Sequence, residues 1–122
     1  MADKGGLTRK QVEAFAIGLY YVAATDGVED RELQVIRDFL KDAGAVDFAA
    51  RLADAPFDPV HLMQALDTEW LRRTFLRSAV LLVKADGRIS ETERHAIAWL
   101  SRGLGVNATI EELESSVAGQ KL

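Results

Sequence analysis

The 122-residue chain contains no cysteine. Disulfides, thiol catalysis and cysteine-ligated zinc are therefore excluded, and the composition fits a reducing compartment. Proline is nearly missing. The two that occur, Pro56 and Pro59, lie together in "DAPFDP", so the rest of the chain is free of the strongest helix breaker. The histidines number two, His61 and His95, and neither belongs to an HExxH motif. There is no glycine-rich phosphate loop. Apolar runs such as Ala79 to Val83 fall far short of the ~20 residues that span a bilayer. The opening Met-Ala-Asp-Lys-Gly-Gly has no apolar core for a signal peptide. The expectation is a cytoplasmic protein without a transmembrane segment. Positive charge is not in excess either: 15 basic residues stand against 19 acidic ones, net −4. General binding to a phosphate backbone needs concentrated positive charge. Arg72, Arg73 and Arg77 do cluster, but Glu69 lies four before Arg73, so they read as a solvated helix face with one ion pair. No nucleic-acid partner is expected.

What is present is helical. Apolar residues recur at intervals of three and four, not two. The length suits one domain, 1–122, and seven helices are expected. Thr8 with Gln11 is a capping box for the first, which runs to about Thr25. The second spans about Asp30 to Asp42 and stops at Gly44. Asp47 is expected to cap a short third helix, "FAARLADA". Asp58 followed by Pro59 starts the fourth. Asp67 or Thr68 caps the fifth, about Glu69 to Ala85. Ser90 caps the sixth, and Thr109 with Glu112 caps the seventh, which runs to about Gly119. Trp70 and Trp99 are expected in the core or half-buried.

The chain also repeats itself. Repeat one, about 8–44, and repeat two, about 68–105, each read as an apolar helix, an Asp-Gly corner and an amphipathic helix. Asp26-Gly27 matches Asp86-Gly87, and Phe15 matches Phe75. After the corner the register slips by one: Glu32 matches Glu93, Ile36 matches Ile97 and Gly44 matches Gly105.

The second corner, "KADGRISETE", can be read in two ways. Against a calcium loop with Gly87 at position 6, Asp86 falls at 5, Ser90 at 9 and Glu93 at 12. Positions 1 and 3, however, are Leu82 and Lys84, so this is not an EF-hand. In purely structural terms, Gly87 ends one helix in the left-handed conformation. Ser90 and Glu93 then form a capping box, and Ile89 packs as a staple. The first corner is one residue shorter, with Asp26 and Glu32 six apart instead of seven. Glu32 is therefore expected to sit about 100° round its helix from the place Glu93 takes, and to be the poorer ligand.

The twofold pattern of apolar helix, Ala-x-Asp-Gly, apolar residue and helical Glu resembles the TerB-like family. That family is named for the bacterial tellurite-resistance protein B, and related domains occur in membrane-anchored J-domain co-chaperones. "VKADGRISETERHAI" is the closer match and "AATDGVEDRELQVI" the shorter one, and the similarity covers residues 8 to 118. The resemblance implies a compact all-α bundle of about seven helices and bacterial origin. It also implies weak binding of a divalent cation such as calcium through Asp86 and Glu93, and through Asp26 and Glu32. It further implies a role in stress-response assemblies, with a peripheral link to membrane complexes through a protein partner.

The residues favour a non-catalytic module that binds a protein partner over an enzyme, since neither histidine belongs to a recognisable nucleophile arrangement. Glu91 and His95, four apart on one helix face, read as an exposed pair. The alternative is a calcium sensor whose helices move when the ion binds.

Overall fold

The computed structural model describes residues 7–84 and 89–118. Those residues form six α-helices and one 3-10 helix, with no strand among them. In order they are α1 (Arg9–Ala24), α2 (Asp30–Asp42), the 3-10 helix η1 (Val46–Asp54), α3 (Pro59–Ala65), α4 (Glu69–Lys84), α5 (Glu91–Gly103) and α6 (Ile110–Ser116). The all-α bundle is the one that the apolar periodicity predicts.

Local chemistry sets most of the helix starts. Thr8 Oγ1 accepts from the Gln11 N–H at 3.1 Å while Gln11 Oε1 accepts from the Thr8 N–H at 3.0 Å. Asp58 Oδ1 accepts from the Val60 N–H at 2.9 Å. Of the two candidates before α4, Thr68 is the cap, accepting from the Leu71 N–H at 3.1 Å. Thr109 and Glu112 close the box at α6.

Asp47 differs from expectation. The N-cap of η1 is Ala45, and Asp47 is the second residue of the helix, within its first turn. Gly44, at φ 75°, ends α2 in the left-handed conformation, and the Ala45 N–H donates to the Leu40 carbonyl at 2.7 Å. That closure returns the chain to helix at once, before Asp47 can cap. Asp47 instead accepts from Arg9 Nη2 at 2.8 Å, which ties η1 to the start of α1. The same guanidinium holds the Asp47 carboxyl below its ordinary value.

The core lies between α1 and α4. Phe15 and Phe75, matched in the repeat alignment, meet edge to face with ring centroids 5.2 Å apart. Phe15 also stacks on Phe39 of α2 at 5.1 Å. Ile36 and Ile97 are fully buried, and Gly44 and Gly105 both have left-handed φ, 75° and 76°. Gly87, expected to be left-handed as well, lies outside the described residues, as does Asp86.

The tryptophans are a correction. Trp70 is 61% exposed and Trp99 44%. Trp70 lies in the first turn of α4, and Trp99 lies on α5 with one side of its ring against Tyr21 of α1. Arg72 is a second correction, because it is not solvated. Its Nε donates to the Leu66 carbonyl at 2.6 Å, Nη2 to Met63 at 2.9 Å and Nη1 to Leu104 at 3.2 Å. Only Arg73 keeps the expected ion pair, with Glu69 at 2.8 Å.

Ser101 fastens the segment after α5. Its buried hydroxyl donates to the Ala108 carbonyl and accepts from the Ala108 N–H, both at 2.9 Å. Ser101→Ala leaves two backbone groups unpaired and is expected to lower stability by about 2 kcal/mol in urea titration. A change near zero would show that water replaces the hydroxyl.

Candidate cation-binding cleft

Glu32 and Glu93 hold the same place in their helices, the third residue of α2 and of α5. Glu32 Oε1 accepts from the Glu29 N–H at 3.0 Å, and Glu93 Oε1 accepts from the Ser90 N–H at 2.9 Å. The expected 100° rotation of Glu32 is therefore not found. The residue missing from the first corner is lost between glycine and cap, and from the cap onward the helical register is restored. Glu29 does not cap with its side chain as Ser90 does. Ser90 Oγ accepts from the Glu93 N–H at 3.2 Å, whereas the Glu29 carboxylate turns to Arg31 Nη2 at 2.8 Å.

Asp26 and the starts of α2 and α5 face one cleft of about 410 Å³. Val83 and Ile89 give it an apolar wall with Ser90 beside them, and the acidic residues Asp26, Glu29, Glu32, Glu91 and Glu93 complete the lining. No basic side chain lines it among the described residues. Asp26, Glu29 and Glu91 are exposed at its mouth, while Glu32 and Glu93 are buried, at 2% and 6% exposure. Thus Asp26, Glu32 and Glu93 of the expected ligands come to one place, and Asp86 lies outside the described residues. Glu29 and Glu91 are cleft residues not expected as ligands, Glu91 being expected as an exposed partner of His95. Their signal was positional: Glu29 is the cap residue of α2, and Glu91 follows Ser90, the cap of α5.

The electrostatics of Glu32 record the crowding. Burial pushes its carboxyl above the ordinary value, the Glu29 N–H opposes that shift, and the charge of Glu93 adds to it. Two helix N-termini favour ionised carboxylates here, but for Glu32 burial outweighs them. A carboxyl raised in the folded state gives stability that is fully present below its unfolded value and is lost as pH rises through the folded value. Glu32→Gln keeps an oxygen for the Glu29 N–H and removes the charge. It is expected to raise stability at pH 7 by about 0.5 kcal/mol, the scale of one like-charge contact. The gain should vanish as pH falls to about 4, where the unfolded carboxyl is also protonated. Melting curves at both pH values check it, and a gain that grows on acidification would contradict the assignment.

Does this donor set suit a cation? Calcium takes six to eight oxygens. Glu32 and Glu93 each commit one oxygen to an amide and retain the other. Their negative charge fits a hard divalent ion: among the described residues no basic side chain lines the cleft, and Arg31 pairs with Glu29 at its mouth at 2.8 Å. Among the described residues, however, no three of the aspartate, glutamate and histidine side chains are gathered closely enough to hold a metal as they stand. The exposed carboxylates at the mouth would have to swing inward. Elsewhere, His95 Nε2 lies 3.9 Å from Glu91 Oε2, both side chains exposed, and His61 is exposed on α3.

No helix among the described residues is long and apolar enough to cross a membrane. No family model, curated protein or solved structure matches the chain.

Proposed function

We propose that this chain is a non-catalytic, cytoplasmic TerB-like module of bacterial origin. In this reading it binds a protein partner within a stress-response assembly, and a weakly held divalent cation of the calcium class tunes it. The observation that carries the reading is the meeting of the two corner glutamates, Glu32 and Glu93, in one acidic cleft. Glu32, Glu93, Asp26 and Asp86 are the proposed ligands, with Glu29 and Glu91 added from the cleft. The ion would neutralise their mutual repulsion and fasten the start of α2 to the start of α5. Nucleic acid is not a partner in this reading, and any link to a membrane runs through the protein partner.

Calcium titration followed by backbone amide shifts tests it. The module reading expects shifts confined to residues around the two corners. Shifts spread over α1, α4 and the far ends of the helices would favour the sensor alternative. No shift at about 10 mM calcium, well above the weakest class of protein sites, would remove the cation from the account.

A further inference from the structure

A second concavity lies between α1 and α5, a slot of about 510 Å³. Ala96 lines it, and Tyr21 and Trp99 pack on one another at its side, their ring centroids 6.3 Å apart at 46°. Tyr21 is fixed from behind by Phe57, stacked at 4.1 Å and 11°. Trp99 leans on Tyr21 with one part of its ring system only. It remains 44% exposed, so part of the ring system is open to a ligand. Aromatic side chains held this way present contact area with little ordering entropy to lose, and tryptophan, tyrosine and arginine are the residues that dominate binding hot spots.

The charge along the slot is graded. Its lining holds two basic residue types, His95 and Arg102, and no acidic one, in a chain of net charge −4. Arg102 makes no ion pair or side-chain hydrogen bond among the described residues. At the other end Thr25 and Thr92 adjoin Asp26 and Glu91 of the acidic cleft. Glu91 and Arg102 are eleven residues apart on α5, about 16 Å along its axis.

We propose that this slot docks a short peptide segment of a partner protein, with an aromatic or leucine side chain laid over Ala96 against the exposed part of the Trp99 ring and a carboxylate on Arg102. The graded charge fixes its direction: the acidic end lies at Arg102, because at the other end it would meet Asp26 and Glu91. The inference rests on the reading of the chain as a partner-binding module but not on the cation, since none of the slot residues is a proposed ligand.

The test is selection of a phage-displayed library of random 12-residue peptides on the whole chain, carrying Trp70→Phe so that Trp99 alone reports. Recovered peptides should pair aromatic or leucine residues with Asp or Glu. A synthetic representative should shift Trp99 emission to the blue. It should bind at least about 10-fold more weakly to Arg102→Glu, a change of roughly 1.4 kcal/mol, and lose binding to Trp99→Ser. Arg102 is exposed, so Arg102→Glu should melt with the parent, while Trp99→Ser loses its contact with Tyr21 and is read only where it remains folded. Emission of Trp99 in the unaltered slot gives a readout that does not depend on either variant. No enriched peptides, peptides without acidic residues, or binding indifferent to both substitutions would overturn the proposal. So would a dimer in sedimentation that Trp99→Ser abolishes, because a second copy would then be the occupant. A failed selection with an intact calcium response removes the slot and leaves the cleft, and the reverse removes the cleft alone.

Discussion

Replacing Arg72 by alanine is expected to lower stability by about 3 kcal/mol, although the side chain belongs to neither candidate site. Its guanidinium donates to three carbonyls at once, those of Met63, Leu66 and Leu104. Leu66 is the C-cap of α3 and Leu104 the C-cap of α5, so one cation closes the carbonyl ends of two helices and joins both to α4. Helix C-termini carry partial negative charge, and a cation there adds to the hydrogen bonds. Removal leaves half-buried acceptors without donors, which costs more than the bonds themselves contribute. Lysine should recover only a minority of the loss, because a single ammonium on a flexible stem cannot reproduce a planar three-way fork. Urea titration of both variants decides it. Lysine equal to arginine, or alanine costing under about 1 kcal/mol, would show that the three bonds do not act together.

Gly18→Val is expected to cost about 3 kcal/mol, at the upper end of core overpacking. A Cβ built on Gly18 would lie 2.7 Å from Cε1 and from Cζ of Phe75. The ring cannot simply retreat, since Phe75 is fully buried and braced edge-on against Phe15. Glycine in mid-helix ordinarily costs about 1 kcal/mol relative to alanine, so its presence here is repaid by the close approach of α1 and α4. Gly18→Ala gains helix propensity and suffers the same clash, so its net loss should be smaller, about 1 kcal/mol. Phe75→Leu introduced beside Gly18→Val should recover part of the loss, because the shorter side chain vacates the space. Additive losses in that double-mutant cycle would contradict the packing account.

What was legible in the sequence was local. Thr8, Asp58, Ser90 and Thr109 announce helix starts because each cap acts within three residues of itself. The apolar stripe through Ile36 and Leu40, and the one through Ile97 and Leu100, announce the buried faces for the same reason. Asp47 misled because its partner, Arg9, is 38 residues away and nothing local marks the pair. Arg72 misled similarly: an arginine near Glu69 looks solvated until α3 and α5 end beside it. The exposure of Trp99 depends on how closely α1 approaches α5, which no periodicity encodes.

The candidate site was half legible. Glu32 and Glu93 stood out through repetition, but spacing alone placed them at two corners of unequal quality. The shared cleft appears only when α2 and α5 start side by side. The shorter first corner also matters less than its length suggested, because the helical register resumes at Glu29.

Calcium affinity of the unaltered chain, of Glu32→Gln and of Glu93→Gln, measured by amide shifts, tests that shared cleft most directly. The account predicts one transition, with Kd on the order of 10⁻⁴–10⁻³ M, and its weakening by either substitution, since both carboxylates face the same ion. Two independent transitions, each lost with its own glutamate, would contradict it.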